Sequence, residues 1–94
     1  MVHYLLIKLK DKNDTEYIMK AAEKLLSPVT EEIAGISDVR IIKNASMRSE
    51  NMDLLIRFEM SSEAVLAQYL GSNCHKAFIA AAGPRTESKV TIDI

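Results

Sequence analysis

The first strand is the feature that most limits what this chain can fold into. Val2-His3-Tyr4-Leu5-Leu6-Ile7-Lys8-Leu9-Lys10 is rich in Leu and Ile and reads as a strand over Val2 to Lys10. One face carries Val2, Tyr4, Leu6 and Lys8, and the other His3, Leu5, Ile7 and Leu9. A strand buried on one side only alternates more cleanly, so both faces of this sheet need cover. The chain has 94 residues, enough for a single domain spanning 1–94. A domain this small buries only about 60–65% of its unfolded surface and gains from a partner subunit.

The remaining elements follow from periodicity and punctuation. Asp11 to Asp14 reads as a turn, and Asn13 with Glu16 forms a capping-box signature. Ile18, Ala22, Leu25, Val29 and Ile33 then make one helical stripe. Pro28 predicts a kink or restart near Ser27, and Gly35 a stop. Val39 to Ala45 reads as a second strand, Ser46 to Asn51 as a loop and Met52 to Met60 as a third strand. Met52, Leu54, Ile56, Phe58 and Met60 share one face of it; Asp53, Leu55, Arg57 and Glu59 share the other.

Ser61 and Ser62 offer N-caps to a helix carrying Val65, Leu66, Tyr69 and Leu70, broken at Gly71. Ser72 caps a further helix in which His75, Phe78, Ile79 and Ala82 share a face, and Gly83-Pro84 ends it. Val90, Ile92 and Ile94 alternate in a closing strand. The order is β-α-β-β-α-β. It predicts an α+β, ferredoxin-like split βαβ fold: a four-stranded antiparallel sheet with helices on one face. The opposite face predicts a homodimer through the sheet.

Composition excludes several function classes. Twelve Lys and Arg against thirteen Asp and Glu give a net charge of −1, which argues against a basic nucleic-acid surface. RNA recognition on this sheet would need exposed aromatics on strands one and three, but Tyr4 and Phe58 fall on faces of opposite parity. No apolar run reaches membrane-spanning length, and Met1-Val2-His3-Tyr4 does not open a signal peptide. With Cys74 as the single cysteine, the expectation is a cytoplasmic protein without disulfides.

Three residues are candidates to carry chemistry. Behind Ser72, His75 occupies the third helical position, where the positive helix end disfavours imidazolium and keeps a neutral general base. Tyr69 lies on the buried stripe of the preceding helix and can polarise or orient a carbonyl. His3 shares its face with Leu5, Ile7 and Leu9, so it can look toward His75. Each residue has a plainer reading as a packed core side chain. Cys74 adjoins His75, but helical neighbours diverge by about 100° and form no dyad. Two His and one Cys without ligand spacing make a poor metal site, and no cofactor is implied. Asp53, Arg57 and Glu59 suggest polar pairs or a minor ligand site on the opposite sheet face, and Met47, Met52 and Met60 core filling.

The segment Tyr69-Leu70-Gly71-Ser72-Asn73-Cys74-His75-Lys76-Ala77-Phe78 resembles a known signature: a tyrosine, His-Pro-x-His, then x-x-Phe. That signature belongs to the stress-responsive A/B barrel (Dabb) family. The opening Val2-His3-Tyr4-Leu5-Leu6-Ile7-Lys8-Leu9-Lys10, Met52-Asp53-Leu54-Leu55-Ile56 and Val90-Thr91-Ile92-Asp93-Ile94 are similar to it too. The resemblance implies a dimeric α+β barrel with the helices outside. It also implies a distant likeness to the family's olivetolic acid cyclase type, which closes polyketide rings without a cofactor. His75 and Tyr69 match that type's base and tyrosine, and His3 its supporting histidine. Ser72-Asn73 stands where the family has His-Pro, and Leu54 where the cyclase has a histidine. Two expectations therefore stand side by side. One is a module holding a small carbonyl or aromatic compound in a pocket between sheet and helices; the other is a cofactor-free cyclase, lyase or isomerase.

Overall fold

A computed structural model describes residues 1–46 and 48–94; Met47, read above as core filling, lies outside the described residues. The strands are β1 Val2–Leu9, β2 Ile36–Lys43, β3 Leu54–Met60 and β4 Thr86–Asp93. The helices are α1 Thr15–Leu26, α2 Val29–Glu32, α3 Glu63–Leu70 and α4 Asn73–Ala82. Short 3-10 turns occupy Lys12–Asp14 and Gly83–Arg85. The sheet runs β2-β3-β1-β4 with every neighbour antiparallel, the split βαβ plan.

Strand parity decides where the core sits. On β1, His3, Leu5, Ile7 and Leu9 are buried, and on β3, Leu54, Ile56, Phe58 and Met60. They meet Ile18, Ala22, Leu26, Val29, Phe78 and Ala82 from the helices. The other face stays uncovered. Its register aligns Ile42, Leu55, Leu6 and Val90 as one apolar row across all four strands. Ile42, Val90, Ile92 and Ile94 are exposed. Beside the row, Arg57 pairs with Glu59 and Asp38, and Arg40 with Asp38. Among the described residues no helix is long and apolar enough to cross a membrane.

Local chemistry corrects several expected boundaries. The capping box at Asn13 does not form: Asp11 accepts from the Asn13 N–H and caps the 3-10 turn, and α1 starts only afterwards. Pro28 does interrupt the helix, in a two-residue break at Ser27 and Pro28. Val29 and Ile33 beyond it are buried as the stripe expects, but before it Leu26 is fully buried and Leu25 only partly. Gly35, at φ +100°, makes the turn into β2, a backbone shape other residues resist.

β2 begins at Ile36 rather than Val39 and ends at Lys43, two residues short of the expected Ala45. Ser37 and Asp38 look like loop, yet an irregularity in pairing between Ile36 and Asp38 takes up the polar stretch. β3 begins at Leu54, not Met52, because Asp53 turns inward. Its carboxylate accepts from the Leu9 N–H at 2.8 Å and from Lys12 Nζ at 2.5 Å. Burial alone would raise the Asp53 pKa, but these two donors outweigh it and hold the group below the ordinary carboxylate value. Asp53 is thus a clamp between chain segments. It does not share an outer-face ligand site with Arg57 and Glu59.

Candidate functional site

Tyr69, His75 and His3 come together under the α3–α4 turn. Ser62 Oγ accepts from the Val65 N–H and starts α3, whose last turn carries Tyr69 inward. Ser72 then works in two directions. Its hydroxyl donates to the Tyr69 carbonyl at 2.6 Å and accepts from the His75 N–H at 3.3 Å. This cap places His75 at the third position of α4, with its ring edge-on to Tyr69 at 5.0 Å between centroids. Tyr69 also packs on Phe58 at 4.7 Å, and His3 lies 6.4 Å from Tyr69 and 5.7 Å from Phe58. Cys74 Sγ meets the Ser72 hydroxyl at 3.0 Å rather than an imidazole.

The protonation states follow from the surroundings. Burial lowers the His75 pKa, and the nearby Lys89 ammonium and His3 lower it further, so the ring is neutral at pH 7. The direction is the one expected from the helix end, but burial and two partners from other strands supply it. Burial pushes the Tyr69 phenol up, with a smaller contribution from Cys74, so it remains an O–H donor. Both groups carry an unmet hydrogen bond: Tyr69 Oη and His75 Nδ1 are buried without a hydrogen-bond partner among the described residues. Leaving such a group unpaired costs about 1–3 kcal/mol.

His3 has a partner that sequence reasoning missed. Its Nδ1 sits 2.5 Å from Asp93 Oδ1. An Nδ1–H donated to that carboxylate orients the ring. Strand parity alone assigns Asp93 to the face opposite Ile92, but only the register sets it against His3.

A cavity of about 260 Å³ opens beside this trio, between α4, β1 and β4. Leu5, Ile7, Phe78, Ile79 and Ala82 form its apolar wall, and Thr86, Glu87, Ser88 and Lys89 its β4 side. Ile79 stands one turn beyond His75 on α4, and Leu5 follows His3 on the same face of β1. The space therefore runs along the same two elements as the histidines and lies next to them. It lies between the sheet and the helices, and none of the trio lines it. The lining can seat a small apolar body.

The family model of the Stress responsive A/B Barrel Domain matches residues 1–94. A search of curated proteins finds no match. Among solved structures, the chain is similar to a dimeric protein of ferredoxin-like fold from Bacteroides fragilis, with TM-score 0.85 and 18% identity, covering 99% of this chain and 92% of that one. It is similar to a dimeric ferredoxin-like protein from Thermobifida fusca, with TM-score 0.81 and 18% identity, covering 97% and 85%. A Dabb family protein of ferredoxin-like fold from Mesorhizobium loti aligns with TM-score 0.76 and 20% identity, covering 99% and 92%. Identities this low speak for the fold alone.

Proposed function

Because the chain belongs to the stress-responsive A/B barrel domain family over residues 1–94, we propose that it is a homodimeric, cytoplasmic ligand-holding protein. In this reading the cavity beside α4 receives a small carbonyl or aromatic compound. The observations that support it are the buried atoms Tyr69 Oη and His75 Nδ1, without partners among the described residues, and an apolar space that begins one turn further along α4 at Ile79. A carbonyl oxygen answers the phenol O–H, and a ring or short chain fills the volume. The uncovered row Ile42–Leu55–Leu6–Val90 supports pairing of two sheets face to face. The dimeric relatives of the same fold support it too.

The test uses acetophenone in an NMR titration. Shifts are expected at Tyr69, His75, Phe78 and Ile79. Tyr69→Phe should weaken binding about fivefold, the worth of one hydrogen bond of about 1 kcal/mol. Saturating acetophenone that leaves these four residues unmoved overturns the reading.

The neutral state of His75 favours a second reading, cofactor-free acid/base chemistry. His75 would take a proton from the carbon next to the carbonyl. The C–H electron pair moves into the enolate, and Tyr69 donates its hydrogen bond to the oxygen that gains charge. Cyclisation, isomerisation or lyase chemistry can proceed from that enolate. Acetophenone in D2O reports the step directly. Wild type should speed deuterium entry into the methyl group, and His75→Ala should abolish the acceleration. An unchanged rate in His75→Ala removes the catalytic role and leaves the binding one.

A further inference from the structure

We infer that Lys89 makes the cavity beside α4 selective for small apolar carboxylates; the inference rests on the ligand-holding reading above. The strand register carries it. On β4, Asp93 stands opposite His3, Thr91 opposite Leu5 and Lys89 opposite Ile7. Lys89 therefore belongs to the face that carries the core, an inward-pointing charge on the edge strand of the sheet. It contributes to the cavity wall with Leu5, Ile7, Phe78, Ile79 and Ala82.

The two acids nearest Lys89 in sequence are engaged elsewhere: Glu87 pairs with Lys8 at 3.7 Å, and Asp93 with His3 at 2.5 Å. Lys89 takes part in no ion pair among the described residues. Glu87 also lines the space, with its carboxylate 3.7 Å from Lys8 Nζ, and His75 and Tyr69, further along the same elements, are neutral. A positive charge at the mouth of an apolar cavity draws an anion whose body can be buried. One ammonium is a point charge that suits a single carboxylate; it offers neither a guanidinium fork nor a cradle of backbone N–H groups for phosphate. The cavity of about 260 Å³ exceeds the roughly 150 Å³ that admits benzene, so a ring bearing one carboxylate fits.

Benzoate and benzamide are nearly the same shape and differ in charge, so they separate the two parts of the claim. Both would be titrated at pH 7.5 into wild type, Lys89→Met and Lys89→Glu, following shifts at Leu5, Phe78, Ile79 and Ala82. Lys89 is exposed, so both variants keep the fold, which thermal melting verifies. Wild type should bind benzoate about fivefold tighter than benzamide, the scale of one partly exposed charge pair. Lys89→Met should erase that preference, and Lys89→Glu should reverse it. Equal binding of the two probes by wild type overturns the charge selection and leaves the ligand-holding reading standing. A benzoate preference that survives Lys89→Met overturns the role of Lys89. Failure of both probes to reach the cavity overturns the inference together with the reading beneath it.

Discussion

His75 couples protonation to folding. Its folded-state pKa is depressed below the ordinary 6.5, so the unfolded chain binds the proton more readily. The stability tied to the neutral ring is fully present above the unfolded value. It is lost as the pH falls through the folded one. In urea unfolding from pH 8 to pH 5, wild type should lose stability on the acid side, and His75→Gln should lose less. Identical slopes in both proteins would show that the ring titrates alike in the folded and unfolded chain. Tyr69 gives the complementary test. Its buried hydroxyl has no partner, so Tyr69→Phe should raise the melting temperature of the free protein, by about 1 kcal/mol of stability, while weakening ligand binding. A destabilised Tyr69→Phe would show that the hydroxyl is satisfied. Stability and function then pull in opposite directions at one atom, as expected of a group kept for a ligand.

The α3–α4 turn sets how closely Tyr69 and His75 approach, and a single side chain holds it. Removing the Ser72 hydroxyl deletes both the cap on the His75 N–H and the bond to the Tyr69 carbonyl. Ser72→Ala should cost about 1 kcal/mol and broaden the His75 ring signals, whereas Ser72→Thr should retain the cap. Urea unfolding and NMR line widths measure the two effects; equal stability of Ser72→Ala and wild type would refute the cap. This turn was legible because its chemistry is local: a serine, the backbone N–H three residues on, and the helical spacing to Phe78 are all visible in one short segment. The inward face of β1 was legible for the same reason, since parity needs no partner. Asp93 was not, because its role depends on the β1–β4 register that sets it against His3. Asp53 was misplaced because its donors, Lys12 and the Leu9 N–H, come from the far end of the chain. Leu26 displaced Leu25 because the two are adjacent on α1 and both border the stripe set by Ile18 and Ala22, so spacing alone does not choose between them.

The surface area of the whole molecule, 5470 Å², matches the roughly 5,400 Å² of a compact monomer of its mass. Compactness is therefore not what the single chain lacks. What it lacks is cover for a contiguous apolar row, Ile42–Leu55–Leu6–Val90, on the sheet face away from the helices. Two copies placed sheet to sheet would bury the row in a common layer, with the Arg57, Glu59 and Asp38 pairs beside it. Val90 isolates this effect. It is 54% exposed in the single chain, so Val90→Lys should change the folding of a monomer by no more than about 0.5 kcal/mol. In a sheet-to-sheet dimer the same change places a lysine ammonium inside an apolar layer, where it has no partner. Wild type should sediment at twice the 10.5 kDa chain mass and melt at a temperature that rises with protein concentration. Val90→Lys should sediment as a folded monomer with a concentration-independent melt. Should wild type itself sediment as a monomer at micromolar concentration, the row is a tolerated surface and the second face of β1 needs another explanation. If Val90→Lys stays dimeric, the two copies meet elsewhere, at the free edge of β2 or β4 or through the helices.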